Sequence, residues 1–480
     1  MTNKLIYTTF ITLLTYVISF NAHGENTQTN LVEVERASSE HNGTKEESSL
    51  SRYSDKKLTL AQDIPERPAP ILELWQGYHT DGPLADELEL PTGMVISPNL
   101  IFYGNFRTGL QMRKNGDKPS VSEWANMLDV YFDFRLTGTE RFSLGIFPLH
   151  QGAEFTKYRF QPEEEFDNHI NKEMVTLFFE GELSEMFPVL DMAGNKALDY
   201  AIAVGKQPIL VQDGFLITDI MDSIAITRNT IPLPGTSYAR YSLFYSWGSI
   251  HRSNNKEDKE AELFGLLTSF DYAHTTFNID LLYLDSITEY GGDQFNIGFS
   301  AVGSTILFDH HIDTTFRVVH SDAGKETQWA STGTLLFSNL SWAPKTTDNI
   351  AYFSTFVGID NYAPISRTAG TGGPLARAGL LFAGNRLASF GPAISNQADD
   401  MYGAALGYQM FFDGHLRSLV MEVAAKEEHG GKENNTSIGL AARLSQSIGQ
   451  GSFVSVDVYW VDQENIGNVL GLRSEFSIMF

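Results

Sequence analysis

The chain has no cysteine, so its 480 residues can form neither a disulfide framework nor a lipoprotein attachment site. After residue 24 there is no run of eighteen apolar residues, which excludes helical membrane spans. Basic residues are scarce: the net charge of -25 argues against nucleic acid and against a basic surface made for anionic lipid. There is no Gly-x-Ser-x-Gly elbow and no His-Glu-x-x-His helix. We therefore predict no enzyme and no cofactor; the alternative is a Ser, His and carboxylate site converging at a barrel rim.

Two local patterns are candidates for binding sites. His310 and His311 stand between Asp309 and Asp313. Adjacent side chains on a strand point to opposite faces, so the two imidazoles cannot easily share one metal ion, and a turn is the better interpretation. Residues 370–373, Gly-Thr-Gly-Gly, lack the Lys-Ser/Thr of a phosphate loop and predict a flexible loop tip. The sequence therefore predicts no metal site.

The amino-terminal region divides into an export signal and an arm. Residues 1–24 combine Lys4, an apolar stretch over 5–20 and small residues before a cleavage point, which is typical of a secretory signal. A transmembrane anchor is the alternative, but the stretch is short and contains four threonines. Residues 25–96 predict a polar periplasmic arm that becomes proline-punctuated after residue 56. That second part either follows the mouth of the next domain or is a flexible linker.

From residue 97 to residue 480 the chain alternates between apolar and polar side chains. Leu128, Val130 and Phe132 alternate with Asp129 and Tyr131, and similar segments recur every twenty to thirty residues. Aromatic residues make up 12% of the chain and Gly reaches 41. Alternation hides a membrane-embedded surface from hydropathy averages. We predict an all-β fold, a transmembrane antiparallel β-barrel of about eighteen strands, with sixteen as the alternative count.

The last strand ends on an aromatic carboxy-terminus, Phe480. Counting back in twos from Phe480 gives an apolar face, and the other face carries Glu475 and Arg473. A terminal Phe is typical of outer-membrane barrels, whose last strand is read by the assembly machinery. The sequence thus predicts a bacterial outer-membrane location, with lipid, lipopolysaccharide and the barrel-assembly machinery as partners. Every upstream strand must then close onto this one.

Charged residues on the alternating strands indicate which face meets water. An Arg or Lys facing lipid at mid-membrane costs roughly 2–4 kcal/mol, so the charged faces should line the lumen. In the simpler interpretation, opposite charges pair across neighbouring strands and line a wet pore. The residues predicted on this face are Asp129, Asp133, Arg135, Arg317, Arg443 and Arg473.

One short stretch resembles a known family. Gly205-Lys206-Gln207 is followed by Asp213-Gly214, Asp219, Asp222 and Arg228, and we expect one strand to end near Lys206 and the next to resume near Ser223. This arrangement resembles the alginate-export family of outer-membrane porins. The resemblance implies an eighteen-stranded barrel whose basic constriction, here including Lys206 and Arg228, passes sugar acids or anionic polysaccharide. The lumen-facing aspartates depart from that pattern and put a purely cationic track in doubt.

These patterns predict a passive channel for hydrophilic solutes, because eighteen strands enclose more space than side chains alone can fill. The alternative is a plugged barrel that acts as a surface receptor or adhesin. Residues 25–96 are too short and too polar for a globular plug domain, which disfavours an energy-coupled transporter.

The longest predicted loop, residues 361–398, has no Asp, Glu or Lys in an otherwise acidic chain. It carries Arg367, Arg377 and Arg386, a local charge of +3, and too many large apolar residues for a solvated tip. We expect it to fold into the lumen and form an anion-attracting constriction, where low-dielectric walls focus the arginine field. The alternative is an external loop whose arginines bind lipopolysaccharide phosphates.

Overall fold

The computed structural model describes residues 70–75, 88–191, 198–307, 310–384, 387–429 and 435–480. The predicted signal and most of the predicted arm lie outside this part of the chain. The described residues form a closed barrel of eighteen antiparallel strands, each paired with its neighbours in sequence. In chain order, β1 to β18 are Asn99–Asn115, Val121–Arg135, Arg141–Ile146, Met174–Glu182, Tyr200–Val211, Ile217–Arg228, Tyr238–Gly248, Glu262–Tyr272, Thr275–Asp285, Gln294–Leu307, His310–Ala323, Gly333–Trp342, Ile350–Asp360, Met401–Phe412, Arg417–Glu428, Asn435–Gly449, Ser452–Gln463 and Gly467–Met479.

The barrel closes where β18 pairs with β1, from Val469 opposite Asn115 to Met479 opposite Asn105. Phe480 then exchanges two backbone hydrogen bonds with Gly104, at 2.8 and 3.0 Å. The predicted fold and the count of eighteen strands are confirmed, and sixteen is wrong. Across the described residues, no helix is long and apolar enough to cross a membrane.

The outside of the barrel is an apolar band. On β16, Ile438 and Leu440 are half exposed and point outward, whereas Ser437 and Ala441 on the other face are buried. Aromatic rings mark the two edges of the band, with Tyr200 near one rim and Tyr245 packed on Phe264 near the other. This lipid-facing belt on a closed barrel is the architecture of a bacterial outer-membrane protein.

Connections at the two rims differ in length. At one rim, here called the short-turn rim, most connections are tight, such as residues 273–274 and 450–451. The other, the long-loop rim, carries the connections 147–173, 249–261 and 361–400, and in outer-membrane barrels such loops face outward. The short-turn rim also holds the one α-helix among the described residues, Leu183–Met186.

Several short strands that are not among the eighteen barrel strands pair with the barrel near its two rims. Leu72–Trp75, a described piece of the predicted arm, pairs with the start of β1 below the seam. In the 147–173 connection, Glu154–Gln161 pairs with the upper part of β2 and carries Glu165–Asp167 on its other side. Two small ladders, Leu88–Glu89 with Val95–Ile96 and Ile250–His251 with Glu257–Asp258, lie apart from the main sheet.

Candidate functional site

The tip of the β5–β6 hairpin, residues Gln212–Leu216, bends into the lumen. Gln212 and Asp213 adopt positive φ values of 53° and 54°, which turn the chain sharply. Arg317 on β11, five strands from β6 along the wall, donates hydrogen bonds to Gln212 Oε1 at 2.8 Å and to Asp213. Leu216 packs on Gly298, where a Cβ would lie 2.6 Å from Leu216 Cδ1. Only glycine leaves room for this tip at that place on the wall.

The long connection 361–400, here called the inner loop, fills the space beside this tip. Its residues Ser366–Arg367 pair in parallel with Ile217–Thr218 at the upper end of β6. Its apolar side chains are fully buried against lumen-facing residues of the wall, so the prediction that this loop folds into the lumen is confirmed. The side chains at the centre of this packing are Ile365, Leu375, Leu381, Phe382 and Ile394.

Charged wall residues hold the inner loop through its backbone. Glu422 on β15 accepts hydrogen bonds from the amides of Leu380 at 2.6 Å and Leu381 at 2.8 Å. Lys426 on the same strand donates to the carbonyls of residues 395 and 397. On β2, Glu123 accepts from the amide of Ser389 at 2.8 Å. Because a loop buried in this way needs partners for its polar groups, these contacts fix its course.

The three predicted arginines of the inner loop have different environments. Arg367 is buried and donates to the carbonyls of Gly214, Gly372 and Gly373 at 2.5, 2.6 and 2.9 Å. Its prediction as a pore-lining residue is wrong, because its guanidinium is occupied by backbone. Arg386 lies outside the described residues. Arg377 is exposed, and no ion-pair partner for it is found in the part of the chain that the structure describes.

A second charged cluster lines the wall near the seam and is here called the wall network. Asp457 accepts from Arg443 at 2.6 and 3.1 Å and from Arg473 at 2.5 Å. Glu475 lies 3.4 Å from Arg473 and binds Arg107 at 2.8 and 3.0 Å. Three arginines thus face two carboxylates across adjacent strands. Opposite charges pair on the wall, as in the simpler interpretation of the sequence.

The remaining predicted aspartates are also paired. Asp133 accepts a hydrogen bond from Arg141 at 3.3 Å and lies 4.0 Å from Arg135. Asp129 lies 2.6 Å from His150 Nε2. His150 belongs to the 147–173 connection and was not among the residues predicted from the sequence. No spacing rule links it to Asp129, because the contact depends on how that connection folds back.

Two predicted lumen residues lie on the opposite face. Arg228 shares its side of β6 with the lipid-facing Ile224 and Ile226. Its guanidinium stacks 4.9 Å from the Tyr200 ring and donates to the Asp199 carbonyl at 3.1 Å. The prediction of Arg228 in the pore is therefore wrong: it belongs to the rim, where Arg and Tyr meet the membrane interface.

Lys206 also departs from its prediction. β5 does not end near Lys206 but continues to Val211, and β6 begins at Ile217 rather than near Ser223. Lys206 lies two positions after the lipid-facing Val204 and therefore on the same face of β5. Its side chain lines a cavity beside the hairpin rather than the central pore. Residues 370–373, predicted as a flexible tip, instead pack inside the barrel, where Arg367 binds their carbonyls.

That cavity, here called the side cavity, has a volume of about 790 Å³. It lies between the β5–β6 hairpin, the 147–173 and 249–261 connections and the inner loop, and its lining includes Asp129, His150, Lys206 and Ile220. At its edge, His251 Nδ1 lies 2.9 Å from the buried Asp219. Burial opposes protonation of His251, but the hydrogen bond and charge of Asp219 prevail and raise the pKa of its imidazole. Among the described residues, no group of three or more acidic or His side chains is arranged to hold a metal ion.

Several solved structures share this fold at low sequence identity. OccK2 (OpdF) of Pseudomonas aeruginosa, in complex with glucuronate, is 11% identical with a TM-score of 0.54. The outer membrane protein opdK of the same organism is 9% identical with a TM-score of 0.54, and OpdL is 12% identical with a TM-score of 0.53. Each match covers 79% of this chain and 98% of the other. No protein-family model and no curated protein matches the chain, so the expected alginate-export family receives no support.

Proposed function

We propose that the chain is a passive outer-membrane channel for small hydrophilic solutes, with a preference for anions such as sugar acids. The proposal assigns it no catalytic activity. The observation that carries it is Arg377, an exposed arginine inside the lumen without an ion-pair partner among the described residues. It lies near enough to Arg317 for their charges to repel, whereas Arg317 itself is paired with Asp213. An unpaired cation beside a narrow passage attracts anions, and a planar guanidinium suits carboxylates.

The solved relatives support the same class of function at the level of fold. One of them, OccK2 (OpdF), is described with glucuronate, a sugar acid. Larger anionic solutes, such as oligosaccharides or alginate, fit the proposal less well, because the inner loop and the hairpin tip both occupy the lumen. The proposal therefore favours monomeric sugar acids over polymers.

A second candidate function is supported by the apolar packing inside the barrel. Phe215, Phe356 and Phe382 are almost fully buried where the hairpin tip, the wall and the inner loop meet. This packing resembles a protein core more than the lining of a wide pore. A barrel plugged in this way would anchor its outer loops as a surface receptor or adhesin.

Conductance in planar bilayers separates the two functions. A channel should conduct, and under a salt gradient its zero-current potential should show anion preference. Arg377→Ala should lower the anion-to-cation permeability ratio about threefold, which corresponds to about 0.7 kcal/mol. Arg377→Lys keeps the charge and should retain most of the preference.

The control is Arg417→Ala at the short-turn rim, where the arginine lies beside Asp413 and Gln446. It removes one positive charge away from the constriction and should leave the ratio unchanged. A purified barrel that never conducts would favour the receptor. A conducting barrel whose selectivity ignores Arg377 would refute the anion-attracting constriction.

A further inference from the structure

The barrel wall is interrupted at the upper halves of β5 and β6. β4 pairs with β5 only up to Leu177 opposite Lys206, and the next five residues of β5 have no partner strand on that edge among the described residues. Likewise, β7 pairs with β6 only up to Gly248 opposite Asp222. Above these positions neither neighbouring strand, β4 or β7, pairs with the hairpin.

The edge of β6 confirms that the hairpin has moved inward. Above Asp222 this edge is taken by Ser366–Arg367 of the inner loop instead of by β7. The two strands bend at matching positions. Gly205 has φ +125°, where a Cβ would lie 2.4 Å from the Leu177 carbonyl, and β6 has a register shift between Asp222 and Ser223. Pro208, which has no amide to donate, follows on the unpaired edge, where strands tolerate proline.

The interruption begins below the top of the apolar band. Tyr200, with Arg228 stacked on it, marks the lower edge of the band on β5. From Tyr200 to Lys206 a strand tilted by about 40° climbs roughly 16 Å, whereas the lipid-facing band of such barrels is about 25 Å tall. Over roughly the upper 9 Å of the band at this place, on the side of the long-loop rim, neither β4 nor β7 pairs with the hairpin.

The side cavity lies directly behind this gap. Apolar residues surround the gap: Met174 and Val175 come from the end of β4 and Ile220 from the hairpin. Leu210, also on the outward face of the hairpin, is 57% exposed although the hairpin has left the wall. Three acidic residues of the lining, Glu154, Glu173 and Glu257, come from the two outer connections, and a fourth, Asp129, is paired with His150. These charges disfavour an anionic head group inside the cavity.

We propose that this gap is a lateral opening in which an alkyl chain of a membrane lipid lies, at the apolar membrane side of the side cavity. The hairpin that narrows the pore also uncovers the opening, because the same residues cannot both complete the wall and bend into the lumen to reach Arg317. The apolar faces of β4 and the hairpin then contact lipid, which removes their exposed surface from water. This proposal depends on the membrane fold and not on the solute that the central pore passes.

Site-directed spin labelling in proteoliposomes tests the opening. Because the chain has no cysteine, one introduced cysteine carries the only label. We expect a nitroxide at Ile220→Cys to collide often with oxygen, which concentrates in lipid, and rarely with nickel ethylenediaminediacetate, which stays in water. The oxygen-to-nickel collision ratio should be several-fold higher than at a lumen position and close to that at a lipid-facing position.

The matched controls are Leu243→Cys, on the lipid face of β7, and Ser445→Cys, at a partly exposed position on the lumen face of β16. Leu210→Cys gives an independent second reading from the other strand of the hairpin, in case the first variant does not fold. If both hairpin labels match the lumen control, the opening is filled with water and the proposal is wrong. Conductance measured on the same samples reports on the central pore separately, so either proposal can fail alone.

Discussion

Two arginines of the inner loop show how far a side chain's role depends on its neighbours. Arg367 and Arg377 lie ten positions apart in a segment without acidic residues. Arg367 is nevertheless buried and donates hydrogen bonds to backbone carbonyls, whereas Arg377 is exposed in the lumen. Buried carbonyls that lose a charged donor are left unsatisfied, at a cost of about 1–3 kcal/mol. At the residue scale, therefore, the buried arginine binds the fold together, and the exposed one is free for the role we propose for it, the attraction of anions.

We expect Arg367→Ala to destabilise the folded barrel by about 3 kcal/mol or more, because several buried carbonyls lose a charged donor. The measurement is the temperature at which the folded, faster-migrating band disappears in semi-native electrophoresis. Arg417→Ala serves as the control, because exposed ion pairs contribute about 0–1 kcal/mol. Equal unfolding temperatures for the two variants would contradict the structural role of Arg367.

Strand parity accounts for the residue-level predictions that succeeded and for one that failed. Alternation predicts that Asp129, Asp133, Arg443 and Arg473 face the lumen, and each lies on the strand face opposite the exposed apolar residues. Arg228 shares its parity with Ile224 and Ile226, so the same rule applied to β6 would have excluded it from the pore. No such rule reveals His150, because its contact with Asp129 comes from a connection whose path the sequence does not determine.

The inner loop is the element on which the pore depends. Its inward folding could be predicted, because a segment without Asp, Glu or Lys and with many large apolar residues is unsuited to a solvated tip. Its anchors could not be predicted, because Glu123, Glu422 and Lys426 are ordinary charged residues until distant strands bring them to the loop. The inward bend of the β5–β6 hairpin was also missed. Two residues in the sequence signal this bend. Gly205 allows a backbone conformation that other residues rarely adopt, and Pro208 is tolerated only at the unpaired edge of a strand.

We expect Glu422→Ala to loosen the inner loop, because the amides of Leu380 and Leu381 and the hydroxyl of Tyr352 lose a common acceptor. Single-channel recordings should show larger and noisier conductance than the parent protein. Glu427→Ala is the matched control: the same change on the same strand, at an exposed residue that contacts Tyr402. The assignment of Glu422 as an anchor fails if both variants record like the parent.

At the scale of the whole molecule, closure of the barrel depends on the seam, the pairing of β18 with β1. Alternation predicts how many strands there are and which face is apolar, and loop lengths predict which rim is which. The pairing of β18 with β1 joins residues more than 350 positions apart, and no local pattern contains that information. It was inferred only because a barrel must have no free edge.

Deleting Phe480 should impair assembly far more than deleting residues 25–55. Phe480 closes the seam through two backbone hydrogen bonds with Gly104, and its ring lies 6.3 Å from that of Phe102. The measurement is the amount of heat-modifiable, folded protein in the outer-membrane fraction. If the two deletions reduce this amount equally, Phe480 has no special part in assembly.

The anchoring of the inner loop also sets an order of events during biogenesis. The loop emerges between β13 and β14, but its partners include Gln111 on β1, Glu123 on β2 and Gln463 on β17. The first and last strands of the chain must therefore stand side by side before the loop has its complete set of partners. While the seam of a nascent barrel is still open, the inner loop lacks some of its anchors and the lumen is not yet narrowed. We therefore expect the barrel to limit the passage of solutes only after the two ends of the chain have paired.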